Sequence, residues 1–99
     1  MPVYLLLSTL SEHGVSCVVE DPSCLRQVSL DIEKLGVKVL DQYATLGQYD
    51  FVHVIEAPDN ETIVRVSMEL IARGHLKPLT LPTISINDFI SRLSLDRRP

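Results

Sequence analysis

Gly47 divides residues 37–56 into two runs of strand character, and that hairpin constrains how the rest of the chain can be arranged. From Val37 to Thr45, Val37, Val39 and Asp41 share one face of a strand, and Lys38, Leu40 and Gln42 share the other. Leu46-Gly47-Gln48 makes the connection, with glycine accepting a positive φ that other residues resist. The strand that follows runs from Tyr49 to Glu56, placing Phe51, His53 and Ile55 on one face and Asp50, Val52 and Val54 on the other. Both faces carry apolar residues, so neither side of this strand is expected to be fully wet.

A helix is expected on each side of the hairpin. Upstream, Asp21 suits an N-cap and Pro22 the first helical position, where its missing N–H is harmless. Leu25, Val28, Ile32 and Leu35 then form one apolar stripe, Lys34 suits the negative helix end, and Gly36 stops it. Downstream, Ala57-Pro58 ends the strand and Asp59 caps a second helix. Its buried side is Ile63, Val66, Ser67, Leu70 and Ile71, and Arg73-Gly74 closes it.

The flanks complete the pattern. Residues 3–9 are aliphatic and aromatic without alternation, which fits a strand covered on both faces. Ser11 caps a short helical segment through Val15, Val18 and Val19, ending at Glu20-Asp21-Pro22. His75 to Ile84 returns to strand character, but Pro78 and Pro82 cannot donate to a ladder, so this strand is an edge or is bent. Ser85 and Asp88 open a short C-terminal helix carrying Ile86, Phe89, Ile90 and Leu93.

Strand, helix, strand, hairpin, strand, helix, strand is the β-α-β-β-α-β order of an α+β, ferredoxin-like fold. Right-handed crossovers then place both main helices on one face of a four-stranded antiparallel sheet. Ninety-nine residues make one domain, residues 1–99. Chains of this size bury only about 60–70% of their unfolded surface and are marginal alone. Here the first and third strands carry apolar residues on both sides, Leu5 and Leu7 against Tyr4 and Leu6. An uncovered apolar sheet marks an interaction surface, so a homodimer or higher oligomer is expected, with two sheets facing each other.

Charge and targeting signals exclude several classes. The formal charge is −4, with acids and bases mixed, and no basic stripe of the kind a nucleic-acid binder needs. The basic pair Arg97-Arg98 stands at the C-terminal end, where such pairs are ordinarily solvated. The apolar run Val3 to Leu7 is too short for a signal peptide or a membrane span, so no membrane partner and a cytoplasmic location are expected. Cys17 and Cys24 lie seven apart, fitting neither a redox pair nor a common zinc half-site. Small apolar residues in a reducing compartment are the simplest account of them.

The stretch Tyr43-Ala44-Thr45-Leu46-Gly47-Gln48-Tyr49-Asp50-Phe51-Val52 resembles the signature of the GYD family, through Gly47, Tyr49 and Asp50. The opening Met1-Pro2-Val3-Tyr4, Gly36 and Glu56-Ala57-Pro58-Asp59 add to the resemblance, which covers residues 1 to about 90. The resemblance implies a dimeric α+β barrel and brings no catalytic residues with it. Cys17, Cys24 and the two prolines of the last strand depart from the family's usual pattern.

Asp50 and His53 are the polar candidates for a site. Aspartate is disfavoured in strands, so Asp50 is either a general base or ligand anchor, or a carboxylate that accepts backbone N–H groups and secures the hairpin. His53, among Phe51 and Ile55, is either a hydrogen-bonded core residue or a ligand-facing group. Tyr4, Tyr43 and Tyr49 fall in or beside the first three strands, where a helix–sheet pocket would let them join Asp50 and His53 around a small polar-aromatic ligand. Asp50 and His53 are an odd number of positions apart on a strand, which argues against joint metal ligation. His75 is expected to be exposed after a helix end. No metal and no cofactor are expected, since no paired ligand spacing, glycine-rich phosphate loop or nucleophile elbow is present. Three functions remain: an oligomer that binds a small organic ligand in the barrel or helix–sheet cleft, a cofactor-independent oxygenase, isomerase or lyase using Asp50 or His53, and a structural or protein-interaction module.

Overall fold

Val3–Leu10 (β1) lies inside the sheet, paired antiparallel on both sides, which is why its residues are apolar in both directions. The computed structural model describes residues 1–96, so Arg97-Arg98 lies outside the described residues. After β1 come α1 (Glu12–Glu20), α2 (Cys24–Glu33), β2 (Lys38–Ala44), β3 (Phe51–Glu56), α3 (Asn60–Arg73), β4 (Leu76–Pro82) and α4 (Ile86–Asp96). The sheet order is β2-β3-β1-β4, the antiparallel ferredoxin-like arrangement that the element order predicts. β4, with its two prolines, is an edge strand paired only with β1.

Register sorts the side chains into two layers. Tyr4, Leu6 and Ser8 stand opposite Ile55, His53 and Phe51 on the face the helices cover. Tyr4, Leu6 and Ile55 join Val28, Ile32, Ile63, Val66 and Leu70 in the core. On the other face Leu5 is flanked by Val54 and Leu81, and Leu7 by Val52 and Leu79. No described element covers these residues; Leu79 is 46% exposed and Leu81 39%.

Four local expectations are corrected. β3 begins at Phe51, so Tyr49 and Asp50 belong to the connecting loop, which Thr45 closes by donating its N–H to the Asp50 carbonyl at 2.8 Å. Gly47 does take the positive φ, 112°. Helix α2 begins at Cys24 instead of Pro22: the Asp21 carboxylate accepts from the Ser23 N–H and hydroxyl at 3.1 and 2.6 Å, and this turn precedes the helix. In β2 the alternation breaks at a bulge between Val39 and Asp41, leaving Leu40 as the extra residue. Beyond the bulge Gln42 stands opposite His53, which moves it from the face expected for it to the helix-covered face. Finally, Ile71 is half-exposed, because α3 buries only Ile63, Val66 and Leu70 fully.

Two helices are placed by unusual means. The Ser11 hydroxyl accepts from Gly14 N as the cap of α1 and donates to the Gly74 carbonyl, while Ser11 N donates to His75 O at 3.0 Å. Gly14 sits against that carbonyl so closely that a side chain has no room. At the other extreme, α4 packs closely on no other element among the described residues. Its stripe of Ile86, Phe89, Ile90 and Leu93 is exposed, and the chain extends 60 Å along its longest axis. The radius of gyration of 15.7 Å exceeds the roughly 13 Å of a compact chain of about 100 residues.

Candidate functional site

A cleft of about 410 Å³ opens between the N-terminal end of α2 and the sheet beneath it. Pro22, Ser23, Leu25 and Arg26 form one wall. Gln42, Tyr43 and Ala44 of β2 with Phe51 and His53 of β3 form the other wall and the floor. The cleft exists because the closest helix–sheet packing is that of α3 on β4, at the far side of the sheet, and α2 meets β2 only lightly.

His53 is 4% exposed, and its Nδ1 has no hydrogen-bond partner among the described residues. Burial holds its pKa below the ordinary histidine value, so the ring is neutral near pH 7. A buried nitrogen left unpaired costs about 1–3 kcal/mol, and Nδ1 lies beneath the surface of the cleft floor. The Ser8 hydroxyl, also buried and unpartnered, lies on the same face of the adjacent strand.

Other polar groups line the same cleft. Gln42 Oε1 accepts from the Ser29 hydroxyl at 2.6 Å, which orients the amide and leaves its Nε2 donors unused by that bond. The β2 bulge is what brings Gln42 to this face. Arg26 is exposed at the mouth and forms no ion pair among the described residues. Lys34 and Arg73, by contrast, both pair with Asp31.

Of the five residues expected at a site, the cleft gathers Tyr43 and His53. Tyr4 donates its hydroxyl to Asn60 Oδ1, at the start of α3. Asp50 Oδ2 accepts from Leu10 N at 2.8 Å, and Asp50 N donates to Ser8 O at 2.9 Å. Tyr49 is half-buried and its carbonyl accepts from the Thr45 hydroxyl at 2.6 Å. Arg26, Gln42 and Leu25 also line the cleft and carry no site signal in the sequence. Leu25 belongs to the apolar stripe, Arg26 is its neighbour on the helix, and no residue type announces the bulge that turns Gln42 inward.

Two further pairs come together away from the cleft. His13 and the half-buried His75 stack with ring centroids 4.9 Å apart, so His75 is a packed residue and not the exposed one expected. Cys17 of α1 and Cys24 of α2 are both free thiols. The Cys17 thiol beside it, and then burial, push the Cys24 pKa up to about 11. Among the described residues no three of His, Cys, Asp and Glu converge as a metal site would require. No described helix is long and apolar enough to cross a membrane.

A four-stranded antiparallel sheet with helices on one face and an apolar surface on the other defines an α+β protein of the ferredoxin-like class. Within that class the chain belongs to the GYD domain family, which it matches over residues 4–93. It is 43% identical over 94 residues to the "Glutamine synthetase and cystathionine beta-lyase binding protein" of Thermus thermophilus, covering 94% of this chain and 99% of that protein. The crystal structure of TTHA0845, also from Thermus thermophilus, superimposes with a TM-score of 0.56 at 20% identity, covering 86% of this chain and 95% of that one, a likeness of fold alone.

Proposed function

We propose that this protein is a self-associating binding module that docks on other proteins, enzymes of amino-acid metabolism such as glutamine synthetase among them. The observation that carries this reading is the uncovered apolar block of Leu5, Leu7, Val52, Val54, Leu79 and Leu81. A patch of this kind on a chain this small favours a dimer with two sheets face to face. The exposed stripe of α4 then offers a second apolar surface for a partner. The name of the 43%-identical Thermus thermophilus protein supports the class of partner.

Sedimentation of the purified protein at micromolar concentration tests self-association; a stable monomer overturns it. Titration of purified glutamine synthetase with wild type and with Phe89→Glu tests docking through α4. Binding by wild type that the variant loses supports it, and no binding by either removes that partner.

A second reading, a small organic ligand held in the helix–sheet cleft, is favoured by the imidazole of His53 lining the cleft beside Gln42 and Arg26. A cofactor-independent proton transfer would fall to the same histidine, because the Asp50 carboxylate already accepts from Leu10 N.

A further inference from the structure

We infer that the cleft takes a small monocarboxylate with a flat apolar body and a hydroxyl at its far end, anchored by Arg26 and Gln42 at the mouth and by His53 at the floor. This rests on the cleft being a ligand site at all, and it specifies the chemistry of that ligand.

The charge comes from Arg26. It is the one lining residue with a full charge near neutral pH, and no carboxylate among the described residues pairs with it. The nearby Asp21 carboxylate accepts from the Ser23 N–H and hydroxyl, and those bonds hold its pKa down. An unpaired guanidinium favours a planar anion that can accept two parallel N–H bonds. Gln42 adds an amide donor on the facing wall, its carbonyl fixed by Ser29.

The body is set by what lies between. Leu25 lines the helix wall and Phe51 the sheet, with Pro22 and Ala44 beside them, so the middle of the cleft is apolar. An aromatic ring suits a slot with Phe51 on one side. A volume of about 410 Å³ matches a molecule of one ring and its substituents, within the ~300–1,000 Å³ of ordinary ligand pockets.

The deep end is set by His53. Its ring lines the floor; Nδ1 is buried beneath that surface, and Nε2 is not among the buried unpartnered atoms of the described residues. A neutral imidazole nitrogen is a donor in one tautomer and an acceptor in the other, and a hydroxyl serves either.

The test uses three probes: 4-hydroxyphenylacetate, phenylacetate and the neutral alcohol 2-(4-hydroxyphenyl)ethanol. Each is titrated into the full-length protein, following the amide resonances of Leu25 and Phe51 and the imidazole of His53. The hydroxylated acid should move all three, and bind at least about tenfold more tightly than the neutral alcohol. Arg26→Gln, an exposed substitution that leaves the core alone, should abolish that preference. Phenylacetate should bind more weakly than its hydroxylated analogue, and His53→Gln should erase that difference. Equal binding of acid and alcohol overturns the carboxylate assignment while leaving a ligand site in place. If no probe shifts these resonances, the ligand reading of the cleft falls with it.

Discussion

Asp50 Oδ2 accepts the backbone N–H of Leu10 at 2.8 Å, joining residues 40 positions apart. The β1–β3 ladder runs out at Ser8 opposite Phe51, and this carboxylate continues it by one more rung. The loop holding the Tyr49-Asp50 pair is therefore tied to the end of β1 as well as closed upon itself through Thr45. Replacing Asp50 by alanine removes a charge-assisted bond and strands the Leu10 amide. The expected loss is about 1.5–3 kcal/mol in chemical denaturation, with binding of 4-hydroxyphenylacetate retained. Loss of binding without loss of stability would show the carboxylate reaching a ligand instead.

Alanine for glycine within a helix ordinarily stabilises, by roughly 0.5–1 kcal/mol in the interior. At Gly14 the sign should reverse. A Cβ there would collide with the His75 carbonyl oxygen and stand 3.1 Å from Leu10 Cδ2. The backbone oxygen cannot retreat without breaking its bond from Ser11 N. Gly14→Ala should cost at least about 1–3 kcal/mol in urea denaturation and should disturb the His13–His75 stack. A stabilised variant would mean that α1 does not dock on the α3–β4 turn in this way.

His53 gives the fold a pH dependence of definite sign. Burial lowers its folded pKa below the ordinary value near 6.5. Above about pH 6.5 the ring is neutral folded or unfolded, and stability is full. As pH falls below that, the unfolded chain takes up a proton the folded chain resists, so stability declines until the folded pKa is passed. His53→Gln should flatten that part of the curve, measured by denaturation between about pH 5 and 7.5. An unchanged slope would place the effect elsewhere.

Cys24 should react slowly for a half-buried thiol. Its pKa near 11, raised first by the neighbouring Cys17 thiol, leaves little thiolate at about pH 8. Cys17→Ala should accelerate maleimide labelling of Cys24, followed by mass spectrometry of the peptide. Rapid labelling of Cys24 in the wild type would contradict the pairing of the two thiols.

What was legible in the sequence was whatever local chemistry decides. The Asp59 cap, the Arg73-Gly74 close and the Gly47 turn each act within a few residues, and each is found where expected. The edge position of β4 could be read from Pro78 and Pro82, because a missing N–H is a property of the residue itself. Contacts between distant segments were less visible. Asp50 read as a strand residue with one of two roles, and only the folded chain shows Leu10 as its partner. The cleft depends on a bulge at Leu40 and on the light packing of α2 over β2, both set by how layers meet. Hence His53 could be placed beside Phe51 and Ile55 from strand position alone, while the approach of Arg26 and Gln42 to it could not.

The two margins of the sheet have a consequence for how copies of this chain can meet. β4 interrupts its outer hydrogen-bonding row with Pro78 and Pro82, and β2 distorts its own with the bulge at Leu40. Neither presents a regular template for another strand, so runaway strand-by-strand growth is blocked at both ends. Contacts are left to the broad side of the sheet and to the protruding α4. Face-to-face pairing about a twofold axis uses up its surface and stops. A protein with so much exposed leucine and valine can thus remain a discrete particle instead of becoming a fibre.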